Sequence, residues 1–222
     1  MRLEWKNKVL QLVILLGLTT TLFSFTSNPP VPLYVSPLAA FSEEWNDSKY
    51  AICNTAANVD YLNEEEKSLI HILNLARTNP ALFANTVITK YVNTTDKKYL
   101  LKNKYLISLF ATMKNLKATG ILEPDKKCFT SASCHAETSG LSGYVGHDRA
   151  NNKCEKNSYY FGECCDYGHD KALDILMALL IDENVSSLGH RKICLDPSYK
   201  TIGVSIQPHK IYRHNAVLDF AY

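Results

Sequence analysis

Residues 170–207 read DKALDILMALLIDENVSSLGHRKICLDPSYKTIGVSIQ, and the fold class turns on them. Ala172, Leu173, Ile175, Leu176, Met177, Leu179, Leu180 and Ile181 leave hardly any polar face, so the spacing predicts a helix buried on most sides. Its end delivers Asp182, Glu183 and, one polar loop later, His190 toward an edge of the core. Beyond Pro197, Ile202, Val204 and Ile206 alternate with Gly203 and Ser205, the period-2 pattern of a strand with one face inward. A carboxylate and an imidazole are thereby placed on two rigid elements, the usual way to build a site.

Upstream, Asn63-Glu64-Glu65-Glu66 has the layout of an N-cap side chain with a reciprocating Glu, followed by Leu69, Ile72, Leu73 and Ala76 at helical spacing. Thr78-Asn79-Pro80 ends that helix, and Pro80 opens a second one carrying Leu82, Phe83 and Val87. Leu101, Tyr105, Leu109, Met113 and Leu116 continue the helical period up to Gly120, a favoured C-terminal glycine. A shorter helix is expected over residues 131–139, a long irregular loop over 140–161 and a last strand over 216–221. Residues 61–222 suit one domain. Residues 27–60 read as a linker, proline-rich over 28–37, and an extension with Trp45 and Cys53 tied down by packing or a disulfide.

Residues 1–26 have the layout of a secretory signal peptide: Arg2, Lys6 and Lys8 precede an apolar run over 9–18, then small and hydroxyl residues follow. An uncleaved membrane anchor is the alternative, since alanines are missing at the cleavage region. Removing these residues takes away three basic groups and one acidic, which lowers the formal net charge from +2 to 0. A neutral mature chain gives no electrostatic case for nucleic acid or an anionic membrane as main partner. No second long apolar run exists, so a secreted, soluble product without stable membrane insertion is expected. Seven cysteines then point to disulfides, with at least one thiol free or intermolecular and the connectivity open.

Three places can carry chemistry: Gly146-His147-Asp148 in the long loop, Gly162-Glu163 at its end, and the span from Asp182 to His190. Two imidazoles and two carboxylates suit a divalent ion such as zinc, or an acid/base pair. There is no HExxH and no Cys-x-x-Cys pair, so spacing by itself does not choose.

The order and flanks say more. Asn74 and Arg77 in LNLARTNP, Pro80 and Phe83, then SGLSGYVGHD, FGEC, LLIDENVSSLGHRK and DPSYKTIGVSI together resemble the CAP superfamily, the cysteine-rich secretory, antigen 5 and pathogenesis-related proteins. The likeness is closest to microbial SCP-like secreted proteins and covers about residues 65–221. It implies an α/β fold, an α-β-α three-layer sandwich with a small antiparallel sheet and long loops. It also implies a cleft in which His147, Glu163, Asp182 and His190 face one another and hold a divalent metal, zinc being the expected ion. Cys164 stands where the family has asparagine after the glutamate, Asp182 is one carbon shorter than the second glutamate, and Leu179 replaces a tryptophan.

The family implies a secreted binding protein whose partner is a protein, lipid or sterol, with no agreed reaction. Two alternatives stand beside it: a metal-assisted hydrolase or peptidase with Glu163 as general base, and a structural disulfide-stabilised module. Among the remaining residues, His71 is expected on an exposed helix side, His209 and His214 on the surface, and His135 in a core or surface role, with an approach to the cleft as its alternative. Cys164 reads as a disulfide partner rather than a nucleophile, and nothing like a nucleophile elbow supports Ser142. Arg191 and Lys192 are expected to complement the loop and solvent.

Overall fold

A computed structural model describes residues 34–94, 96–149, 154 and 159–222. The signal peptide expected over 1–26 and the first part of the expected linker fall outside these residues. Among the described residues no helix is long and apolar enough to cross a membrane.

Helix α1 (Glu64–Thr78) starts as its sequence dictates: Asn63 Oδ1 accepts from the Glu66 backbone N–H at 3.0 Å, and Asn63 N–H donates to Glu66 Oε2 at 2.8 Å. Glu66 is buried because its other oxygen accepts the Ile206 N–H at 2.9 Å, which ties the cap to a strand 140 residues later. Pro80 opens α2 (Pro80–Phe83), capped by Asn79, and a π turn over Ala84–Ile88 leads into α3 (Thr89–Tyr91).

Helix α4 spans Lys104–Asn115 and stops short of Gly120. The reason lies in α1: Asn74 exchanges two hydrogen bonds with the Leu122 backbone, at 2.8 and 3.0 Å, and Arg77 Nε donates to Gly120 O at 2.8 Å. A helix through residue 120 would leave those buried groups unpaired, a cost larger than the last turn returns.

The short strand β1 (Glu123–Pro124) is followed by α5 (Lys126–Ser142), capped by Asp125 and closed by Gly143 in the left-handed region at φ 78°. Strand β2 (Gly162–Tyr167) then precedes the apolar helix α6 (Ala172–Ile181), the short helix α7 (Gly189–Leu195) and the hairpin of β3 (Thr201–His209) and β4 (Arg213–Ala221). The strand order is β1-β3-β4-β2. β1 lies parallel to β3 and the other pairs are antiparallel, so the sheet is mixed where a purely antiparallel one was expected. β1 forms because the segment held by Asn74 runs on beside β3.

Helices cover both faces of the sheet. Ile202, Val204, Ala216, Leu218, Phe220 and Cys164 join α1 and α6 in the main core. On the other face Val217 and Cys165 pack with Ala132 and Ala136 of α5. Gly203 and Ser205, expected to face outward, are buried as well. A Cβ on Gly203 would collide with the backbone of Cys128 and Phe129, so the small residues of β3 mark the close approach of α5 rather than water.

Residues 34–60 belong to the same unit, Tyr34–Tyr222. Packing holds them: Trp45, Tyr50 and Cys53 are buried, Trp45 Nε1 donates to Thr86 Oγ1 at 3.1 Å, and the Cys53 thiol lies 3.3 Å from Thr78 Oγ1. Cys134 and Cys154 form a disulfide that pins the loop after α5.

Candidate functional site

The bend after α6 is built from the inside out. Asp182 ends the helix in the left-handed region at φ 56°, a conformation Asp tolerates better than most residues, and is 2% exposed. Its Oδ1 accepts from His190 Nδ1 at 2.8 Å, and its Oδ2 accepts the backbone N–H groups of His190 at 3.0 Å and Arg191 at 3.3 Å. Arg191, expected to face solvent, is buried instead. It donates to the orphan carbonyls of Leu180 and Ile181 at the end of α6, at 2.6 and 2.8 Å, and to Ser108 and Tyr105 of α4. Glu183, the next acid, is exposed, and its Oε1 accepts from Asn103 Nδ2 at 2.6 Å.

Glu163, on β2, faces the loop before it. Its Oε1 accepts from His147 Nδ1 at 2.8 Å and its Oε2 from Arg149 Nη1 at 2.6 Å. Arg149 also donates to Tyr160 OH at 2.7 Å and Ser131 Oγ at 3.2 Å, and lies 3.7 Å from Asp219 Oδ2. Asp219 pairs directly with Glu163 across β4 and β2. Burial would raise the Glu163 pKa, but the His147 hydrogen bond and the Arg149 charge outweigh it and hold the group at about 2. Asp219 moves the other way, pushed up to about 8 by burial and then by the Glu163 charge. At neutral pH Glu163 is ionised and Asp219 carries a proton.

The two pairs meet. The rings of His147 and His190 lie 5.9 Å apart, centroid to centroid, inclined by 40°. A carboxylate only accepts, so each ring presents an N–H at Nδ1 to its partner and leaves Nε2 outside that bond. The side chains are 50% and 21% exposed, and His190 lines a cavity of about 290 Å³ together with Asp182, Cys165 and His169. All four residues expected at the cleft, His147, Glu163, Asp182 and His190, are thus in two hydrogen-bonded pairs side by side.

Behind Glu163 lies a second constellation. His135, Glu163 and Cys165 are all buried and offer ligand atoms within 4.8 Å of one another. Nitrogen, carboxylate oxygen and sulfur make a donor set that suits zinc. His135 bonds Gly146 O through Nε2 at 3.0 Å, and its buried Nδ1 has no hydrogen-bond partner among the described residues. Cys165 Sγ also sits 3.7 Å from His147 Nδ1. Burial pushes its thiol pKa well above the ordinary range, so a metal there would have to displace a proton.

Several readings of the sequence need correction. His71 is buried and bonds Tyr34 OH at 2.9 Å, and burial lowers its pKa to about 4. His209 is buried too: Nε2 donates to Tyr144 O at 3.0 Å, while Nδ1 accepts from Ile211 and Tyr212 and shapes the β3–β4 turn. Cys164, expected in a disulfide, is a buried thiol whose sulfur lies 4.0 Å from that of Cys194, in contact but not bonded. Ser142 needs no correction: its hydroxyl donates to Thr138 O of its own helix at 2.9 Å, which agrees with its rejection as a nucleophile. Sequence reasoning missed Arg149, Cys165 and Asp219. Arg149 follows His147 by two residues and Cys165 follows Glu163 by one strand period, both weak signals, whereas Asp219 is placed only by the pairing of β4 with β2. Compared with known proteins, this chain matches no family model and no curated sequence.

Proposed function

We propose that this chain is a secreted CAP-type domain that acts by binding, with its cleft holding a divalent metal, zinc by donor chemistry, between His147 and His190. The observation that carries the reading is the pair of rings 5.9 Å apart, each fixed at Nδ1 by a buried carboxylate. In metal sites such a carboxylate sets the tautomer, orients the ring and raises the basicity of the other nitrogen. Glu163 and Asp182 enter through the rings they hold, and the His135, Glu163 and Cys165 group supplies a second position for an ion directly behind. Helices on both faces of a small sheet support the three-layer CAP-type sandwich.

Binding is favoured over hydrolysis by the state of Glu163. A general base needs a pKa near the working pH and a free lone pair, and this carboxylate is held at about 2 with both oxygens engaged. An apolar groove of about 250 Å³ lined by Ile88, Val92, Leu106, Ile107 and Phe110 supports a lipid or sterol as the partner class.

Calorimetric titration of the full-length protein with zinc tests the reading. Heat of binding and a raised melting temperature are expected, and both should vanish in His147→Ala/His190→Ala with the circular dichroism spectrum retained. Glu163→Gln should weaken binding about 10- to 100-fold. No heat and no shift in the parent protein would sink the proposal. Loss of binding in His135→Ala/Cys165→Ser, with His147→Ala/His190→Ala unaffected, would move the ion to the buried group.

A further inference from the structure

Cys164 on β2 and Cys194 on α7 are both fully buried, and their sulfurs face each other at 4.0 Å. That is van der Waals contact, about 2 Å longer than a disulfide bond. We propose that Cys164 and Cys194 are oxidised to a disulfide as the chain folds in an oxidising compartment, locking the strand that carries Glu163 to the helix that carries His190. The inference rests on the secreted reading of the chain.

The choice of partners follows from the fold. Successive residues of a strand point to opposite faces, so of the adjacent thiols Cys164 and Cys165 only one can reach α7. Cys164 faces the main core with Cys194, while Cys165 packs under α5 with Ala132, Ala136 and Val217. Cys53 contacts Thr78. Cys164 Sγ also lies 3.7 Å from the carbonyl of His190, so the bond would form directly beneath a cleft residue. The ring it closes contains all of α6, the Asp182 bend and the first turn of α7.

The chemistry is thiol–disulfide exchange with a small disulfide such as oxidised glutathione. One thiolate attacks the reagent and releases one glutathione. The second displaces the other, so two thiols lose two protons and two electrons, one sulfur–sulfur bond forms and one glutathione disulfide is reduced to two thiols. In the folded protein both thiols are fully buried, so a reagent in solution cannot reach either sulfur. The bond therefore forms before the core closes, and the finished reduced protein should resist both oxidation and alkylation at these positions.

Peptide mapping without reduction tests this on the full-length chain refolded in a glutathione redox buffer, with Cys134 and Cys154 as internal control. Trypsin should release ICLDPSYK (193–200) covalently joined to NSYYFGECCDYGHDK (157–171). The joined species should persist in Cys165→Ser and disappear in Cys164→Ser. Under oxidising conditions the parent should melt about 10 °C above Cys194→Ala, with the gap closing under reductant. The proposal is overturned if both peptides emerge free while Cys134 and Cys154 are linked, or if Cys194 is found joined to any other cysteine. Because mapping reads a covalent bond and the zinc titration reads an ion, the two proposals fail separately.

Discussion

His190 meets Asp182 across eight residues of chain, whereas His147 meets Glu163 across sixteen, and both contacts close at 2.8 Å. The first pair is local. A helix end, a left-handed Asp and two backbone N–H groups hold the carboxylate, and among the described residues no lysine or arginine side chain bonds its oxygens. The second is assembled from separate elements: a loop brings the imidazole and the Arg149 guanidinium to a strand, and a neighbouring strand adds Asp219 at the register of Glu163. Backbone dipoles neutralise one acid, and a buried charge network neutralises the other. The lesson is that equal geometry conceals unequal dependence on tertiary structure.

The largest expected effect breaks the second pair. Arg149→Ala leaves Glu163 buried with its guanidinium partner gone, and urea denaturation should show a loss of about 3 kcal/mol. Removing the local pair costs less. Asp182→Ala forfeits three hydrogen bonds and should lose about 2 kcal/mol, with a changed His190 imidazole signal by NMR. Glu183→Ala, one residue on at the exposed end of the same helix, should stay within about 0.5 kcal/mol and serves as control.

A slope with pH sharpens the contrast further. The Glu163 pKa is lowered, so its contribution to stability is present above the ordinary value near 4.5 and is lost as pH falls through about 2. Asp219 is raised, so its contribution is present below about 3.8 and is lost as pH rises through about 8. Asp219→Asn should therefore flatten the decline in stability between pH 5 and 9 and leave the acid limb in place. Denaturation midpoints across that range check it, and an unchanged alkaline slope would remove Asp219 from the network.

Much of the scaffold was legible because it is locally encoded. Nine of the ten residues of α6 are apolar and leave it almost no polar face, the capping box of α1 lies within four consecutive residues, and Pro80 starts a helix by its own φ. The elements misjudged are those whose sequence reports a neighbour rather than themselves. α5 is longer than its few large apolar residues suggested, because it lies close on the sheet over Gly203 and needs small side chains. β2 shows no alternation because both of its faces are covered, and α4 ends early to satisfy Asn74 and Arg77.

The same distinction runs through the cleft. The sequence singled out His147, Glu163 and the span from Asp182 to His190, the family resemblance narrowed these to four candidates, and helix period and turn chemistry set Asp182 and His190 at either end of one short bend. Only the packed structure brought the two rings within 5.9 Å, set Asp219 beside Glu163 and turned Arg191 inward. Those outcomes depend on strand register and on where buried charges find partners, interactions between residues tens of positions apart that no local pattern encodes.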